Sequence, residues 1–177
     1  MAVNSDNERI CILLVDDEVS YLQNLHDFLE LKGCYVVKAS TSQQALEIAR
    51  HPNSYFHAAL IDYTIEVDLV CVQLIKGLRE SQPQMDSVIL TAFEESDMVE
   101  AMQAGAYRSF EKRIGADAIF NVLQILVANQ REKASQSMLE QANQISGIML
   151  DLSEQLATLR AETIFQAACD EIGRAHV

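Results

Sequence analysis

The 177-residue sequence has no tryptophan, only two prolines, six glycines and four cysteines, and half as many basic as acidic residues. With so little Pro and Gly, 49% hydrophobic and 22% charged residues, the composition excludes a collagen-like or generally disordered chain. The 13 basic and 26 acidic residues give a formal net charge of −13. This charge argues against a nucleic-acid-binding surface, which needs basic groups to displace counterions from phosphates. The length fits one globular domain with an appendage.

Long apolar runs and targeting signals are also missing. No run approaches the roughly 20 apolar residues that a membrane-spanning helix needs. The polar N-terminal residues 1–9 do not resemble a signal peptide. The cysteines form no C-x-x-C pair and have no histidine at metal-ligand spacing, so we expect reduced thiols rather than a zinc site or a disulfide. They are Cys11, Cys34, Cys71 and Cys169. These observations predict a cytoplasmic protein that does not enter a membrane.

Up to about residue 130, short apolar runs alternate with amphipathic stretches. The first run, residues 10–15, is continuously apolar, as in a strand that is covered on both faces. Further strands are predicted at residues 34–39, 57–61, 87–90 and 107–110. Helical spacing fills the intervals: Gly33 is placed to end the first helix, Thr41 and Gln44 form a capping box, and later helices begin near residues 68 and 95. Five strands alternating with five helices predict an α/β fold with a doubly wound parallel sheet.

Polar residues follow four of these strands, at the edge where parallel sheets bind ligands. They are Asp16, Asp17 and Glu18, then Asp62, then Thr91, and finally Lys112. Carboxylates gathered at one edge repel each other unless a cation joins them, and oxygen ligands suit Mg²⁺. A lysine and a threonine hydroxyl can bind phosphoryl oxygens, and a carboxylate can accept a phosphoryl group. No P-loop or G-x-G-x-x-G is present, so a tight nucleotide site is not indicated.

Each of these residues also has a purely structural interpretation. The two aspartates after the first strand could cap the next helix, and Asp62 could be a turn residue. Thr91 could be an ordinary strand or cap residue, and Lys112 a solvated surface lysine. Glu18 is interpreted as a helix-cap or rim charge rather than as a ligand.

Four motifs, each at a predicted strand end, resemble the receiver domain of two-component response regulators. They are L-L-V-D-D-E, A-L-I-D-Y, V-I-L-T-A, and G-A followed six residues later by Lys. The resemblance covers residues 9–130 and implies a flavodoxin-like sheet of strand order 2-1-3-4-5, followed here by a long C-terminal helix. It implies a signalling domain that is not an enzyme. Its phosphoryl donor would be a phosphohistidine on a sensor histidine kinase or a phosphotransfer protein.

The resemblance also implies a role for each site residue. Asp62 would be the phosphoacceptor. The metal ligands for Mg²⁺ would be Asp16, Asp17 and Asp62 together with the backbone carbonyl of Thr64. Thr91 would supply the switch hydroxyl, and Lys112 would pair with the phosphate.

Three positions depart from the family pattern. Glu66 stands where a proline is expected after the acceptor, Arg113 stands where a proline follows the lysine, and Ser109 stands where an aromatic residue is common. The altered loop after Asp62 and the residue Ser109 favour a second hypothesis, in which the domain binds partners without being phosphorylated. A third hypothesis is that the chain is the regulatory part of a truncated hybrid signalling enzyme.

Beyond the receiver-like part, apolar residues recur in steps of four and three, which is a heptad pattern. They are Met138, Ala142, Ile145, Met149, Leu152, Leu156 and Leu159. We predict that residues 131–170 form a coiled-coil or linker helix, with a parallel homodimer through residues 138–163 preferred. The alternative is one amphipathic helix folded onto the receiver or onto a missing domain. Gly147 weakens either helix by roughly 1 kcal/mol relative to alanine.

The last six residues, IGRAHV, do not continue this pattern. They correspond to the translation of a common sequencing-adapter read. We therefore expect residues 171–177 to be a non-native tail, and the gene to be truncated near Asp170.

Overall fold

The computed structural model describes residues 9–65, 70–92 and 99–174. Five strands form one parallel sheet: β1 (Cys11–Val15), β2 (Tyr35–Ala39), β3 (Ala58–Asp62), β4 (Asp86–Thr91) and β5 (Arg108–Glu111). Five helices accompany them: α1 (Val19–Leu31), α2 (Ser42–Arg50), α3 (Val70–Ser81), α4 (Val99–Gln103) and α5 (Ala116–Arg174). The strand order is β2-β1-β3-β4-β5. The predicted doubly wound sheet and its order are confirmed.

The sheet is buried on both faces, which explains its continuous apolar strands. Leu13 and Val15 of β1 belong to a core on one face, together with side chains of α2, α3 and α4. Ile12 and Leu14 point to the other face, where they join a second core with side chains of α1 and α5. Alternate residues of one strand therefore serve two cores, and no polar alternation is needed.

The predicted helix-capping and helix-ending residues lie at helix ends in the structure. Thr41 caps α2 by accepting a hydrogen bond from the backbone N–H of Gln44 at 3.1 Å. In return, the Gln44 side chain accepts from the N–H of Ser40 at 2.8 Å, one residue earlier than in a regular capping box. Gly33 follows α1 with a φ of 87°, a conformation that a residue with a Cβ rarely adopts.

The cysteines are free thiols in the structure. Cys34 and Cys71 are buried, Cys11 is half-buried and Cys169 is exposed. Burial raises the pKa of Cys34 to about 11, and burial together with the Asp62 charge raises the pKa of Cys71 to about 12. Both thiols are therefore protonated at neutral pH and behave as small apolar side chains.

The chain divides into two compact units at residue 130, and α5 continues through that position as a single helix. In the second unit every side chain of residues 131–169 is exposed. No helix among the described residues has both the length and the apolarity to cross a membrane. Some predictions concern residues outside the described part of the chain. These are the start of one helix near residue 68 and of another near residue 95, the departure at Glu66, and the last three residues of the predicted tail.

Candidate functional site

Asp16 follows β1 directly and is held by the turn that leads into α1. Its backbone N–H donates to the carbonyl of Ala39 at 3.1 Å, and its Oδ1 accepts from the N–H of Glu18 at 2.8 Å. Only 1% of the residue is exposed. One carboxylate oxygen thus closes the turn before α1 and does not cap the helix, whose N-cap residue is Glu18. The other oxygen, Oδ2, remains for the site.

Asp62 is the last residue of β3, and 2% of it is exposed. Its Oδ2 accepts a hydrogen bond from the hydroxyl of Thr64 at 2.9 Å. Its Oδ1 is buried and has no hydrogen-bond partner among the described residues. A buried carboxylate oxygen without a donor is costly, so this atom is a candidate for binding or chemistry.

Lys112 begins the short 3-10 turn after β5, and its ammonium lies between these two carboxylates. The Nζ atom is 2.8 Å from Oδ2 of Asp16 and 3.3 Å from Oδ2 of Asp62. Only 14% of the Lys112 side chain is exposed. Lys112 is therefore not a solvated surface lysine.

The third carboxylate, that of exposed Asp17, completes an acidic cluster. One oxygen from each of Asp16, Asp17 and Asp62 lies within 4.8 Å of the other two. All three donors are hard oxygens, the ligands that Mg²⁺ prefers. With one ammonium facing three carboxylates, the ionised cluster keeps two negative charges, and Asp62 Oδ1 still lacks a donor. The residues present therefore fit a divalent cation.

The electrostatics of the cluster follow from its burial. Burial raises the pKa of Asp16, and the nearby Asp62 charge adds to this, against the opposing effects of Lys112 and the Glu18 N–H. Burial alone would lower the pKa of Lys112. The hydrogen bond to Asp16 and the two negative charges outweigh burial, so the pKa of Lys112 is raised and the ammonium is retained.

The structure adds two contacts that the sequence did not reveal. The ring of Tyr21, in the first turn of α1, lies with its centroid 4.6 Å from Nζ of Lys112. Burial and the charges of the neighbouring carboxylates raise the pKa of Tyr21 to about 12. The second contact is the Thr64 hydroxyl on Asp62, where the sequence had suggested only the backbone carbonyl. An aromatic residue one turn after an acidic pair is the signal that could have indicated the first contact.

The remaining predicted residues fall at or near the same edge. Thr91 is the last residue of β4, is 1% exposed and lies in register with Glu111, which directly precedes Lys112. Glu18 is exposed at the N-cap of α1 and is not part of the acidic cluster. Arg113 pairs with Glu111 at 2.8 Å on the surface, and Ser109 is half-buried in β5.

Comparison with known proteins gives a family match for most of the chain. Residues 12–124 match the family described as the response regulator receiver domain. The chain belongs to this family. Receiver domains of two-component response regulators are signalling modules that bind Mg²⁺ at an acidic pocket and are phosphorylated by histidine kinases.

Individual proteins are similar to this chain in sequence or in fold. The transcriptional regulatory protein ZraR of Klebsiella oxytoca is 29% identical over 125 residues, 70% of this chain but 28% of that protein. A receiver domain from Methanospirillum hungatei has a TM-score of 0.65 at 23% identity, covering 71% of this chain and 98% of that structure. A Burkholderia pseudomallei response regulator, solved with a phosphorylated aspartic acid, calcium and citrate, has a TM-score of 0.59 at 26% identity, covering 73% of this chain and 74% of that one. The chain thus spans less than a third of ZraR.

Proposed function

We propose that this receiver accepts a phosphoryl group on Asp62 from the phosphohistidine of a sensor histidine kinase or a phosphotransfer protein. The observation that carries the proposal is the position of Asp62: its buried Oδ1 lacks a hydrogen-bond donor, and the Lys112 ammonium is 3.3 Å from its Oδ2. The similar Burkholderia pseudomallei protein carries a phosphorylated aspartic acid and a calcium ion, which supports an aspartate as the phosphoacceptor and a divalent cation at the site.

In the transfer, the N–P bond of the phosphohistidine breaks and a bond forms between phosphorus and a carboxylate oxygen of Asp62. The imidazole leaves with the electron pair of the broken bond and takes up a proton from solvent. Mg²⁺ held by Asp16, Asp17, Asp62 and the carbonyl of Thr64 would neutralise charge on the phosphoryl oxygens. Lys112 contributes a fixed positive charge because it is already desolvated and aimed at Asp62.

We further propose that Thr91 donates its hydroxyl to the phosphoryl group. Thr91 and Lys112 end neighbouring strands, and Thr91 is buried at the same sheet edge. A rearrangement of these two side chains toward the phosphate would link the chemistry at Asp62 to the surface around β4 and β5. The proposed effector that responds to this change is either a protein partner or a further domain.

The test treats the full chain with acetyl phosphate and Mg²⁺. We expect phosphate-affinity gels to show a slower band for the wild type and none for Asp62→Asn. Asp27→Asn is the matched control because Asp27 is an exposed carboxylate of α1, and it should shift like the wild type. If a cognate phosphohistidine donor gives no band with the wild type, or if Asp62→Asn is still modified, the proposal is wrong.

A second candidate function is partner binding without phosphorylation, which Ser109 in place of an aromatic residue favours. Calorimetry separates the two. Heat from Mg²⁺ binding that disappears in Asp17→Ala supports the phosphorylation mechanism, while a domain that binds no Mg²⁺ supports the alternative.

Because the chain spans 28% of ZraR, an enzymatic output on a longer protein is a further proposal, testable by recovering the full gene. The cytoplasmic location also stays a prediction.

A further inference from the structure

The second unit of the chain is a helix without a packed face. Within one chain, every side chain of residues 131–169 is exposed. Helices in proteins gain most of their stability from packing an apolar face, and an unpacked helix lacks this stabilisation. The apolar side chains of this segment therefore have no covering surface within the second unit itself.

The apolar positions show what kind of surface fits. Their steps of four and three place Met138, Ile145, Leu152 and Leu159 at heptad position d, and Ala142, Met149 and Leu156 at position a. The six large residues of this set, which we call the seam, are 52–73% exposed. No seam position is charged. The seam repeats every 3.5 residues over three heptads, which is the pattern of a coiled coil. Leu139 at position e and Ile148 at position g are also exposed and widen its apolar face.

We infer that the seam is covered by the same seam of a second copy, in a parallel and in-register homodimer. Parallel pairing places each leucine layer, at 152, 156 and 159, against its own copy. Antiparallel pairing sets a positions against d positions, so Ala142 would face Leu159 or Leu152 and a leucine layer would be lost. Gly147 falls at position f, opposite the seam, and nothing lies within 4 Å of the position its Cβ would take. It therefore does not interrupt the interface.

The first test measures the mass of the full chain by sedimentation at tens of micromolar protein and physiological salt. We expect twice the mass of one chain. Leu152→Asp should weaken association by at least ~100-fold because it places a carboxylate between two seams. Leu150→Asp is the matched control: it is the same substitution two residues away, at position b, where the leucine is also exposed. Circular dichroism checks that both variants remain helical.

The second test fixes the orientation. In a Cys169→Ser background, oxidised Leu152→Cys should form a disulfide-linked dimer and Leu150→Cys should not, since identical d positions meet only in a parallel pair. The inference is overturned by a monomeric wild type, by a threefold mass, by equal dissociation of both aspartate variants, or by a dimer that Leu152→Cys does not cross-link. No phosphoryl donor is used, so these outcomes leave the proposal for Asp62 unaffected.

Discussion

Lys112 pairs with Asp16 and Asp62, the most deeply buried carboxylates among the described residues. Replacing Lys112 should therefore show how much free energy of unfolding is lost when these carboxylates have no cation beside them. In Lys112→Met the side-chain volume is nearly kept, but the ammonium at 2.8 Å from Asp16 and 3.3 Å from Asp62 is gone. Removing one partner of a buried ion pair typically costs about 3–5 kcal/mol. Because Lys112 is 14% exposed and Asp17 opens the site to water, we expect the low end, a fall of about 3 kcal/mol in the free energy of unfolding at pH 7.

The loss should also depend on pH. Without the ammonium, burial and the charge of Asp62 raise the pKa of Asp16 further above the unfolded value, so the folded state binds a proton more tightly than the unfolded state. Stability is then highest below the unfolded pKa and falls as pH rises from there through the folded pKa. The deficit of Lys112→Met relative to wild type should therefore be larger at pH 8 than at pH 5.

The assay is urea unfolding followed by circular dichroism, since the chain has no tryptophan. Arg113→Met is the control because Arg113 is the next residue, with an exposed ion pair to Glu111. An exposed pair of this kind contributes about 0–1 kcal/mol. Adding Asp62→Asn to Lys112→Met should restore part of the lost stability. Equal effects of the two methionine variants, or a deficit that grows as pH falls, would refute the reasoning.

Two further predictions concern the same cluster. Burial raises the pKa of Asp16, and the proposed Mg²⁺ site needs its ionised form, so the increase in melting temperature with Mg²⁺ should be largest at pH 8 and shrink as pH falls through the folded pKa. Thermal unfolding with Mg²⁺ or EDTA measures this, and an increase that survives Asp17→Ala would argue against the site. Tyr21→Leu should lose about 0.5–2 kcal/mol of cation–π stabilisation at Lys112, while Tyr21→Phe keeps the ring and should stay close to wild type in urea unfolding.

The fold was predictable because burial on both faces of the sheet leaves a strong pattern of apolar runs. The strand ends were less accurate. The third and fourth strands were predicted to end at residues 61 and 90, but β3 and β4 continue through Asp62 and Thr91. Backbone hydrogen bonds form the ladder and do not depend on side-chain polarity, so Asp62 still pairs in register with Leu90. The change from apolar to polar marked the functional edge rather than the end of the strand.

The site was predictable as a set of residues but not as a set of contacts. Parallel strands bring their carboxyl ends to one edge, which is why Asp62 and Lys112, 50 positions apart, could be assigned together. The Tyr21 ring over Lys112 and the Thr64 hydroxyl on Asp62 depend on rotamers and on the angle of α1. No sequence spacing determines these. Similarly, residues 116–146 contain neither proline nor glycine, so α5 passes through residue 130 although the apolar pattern changes there.

Lys112 and a divalent cation would both neutralise the carboxylate charges of the site, Lys112 when no metal is bound and the cation when it is. Among the described residues, the Lys112 ammonium is the cation that pairs with Asp16 and Asp62, and its closest contact, at 2.8 Å, is to Asp16, a proposed metal ligand. A cation bound to Asp16 would compete with that contact and leave the ammonium available to the group carried by Asp62. If so, Mg²⁺ should recover part of the stability that Lys112→Met loses, and should stabilise this variant more than the wild type. Equal stabilisation of both proteins would mean that the metal and Lys112 do not share Asp16.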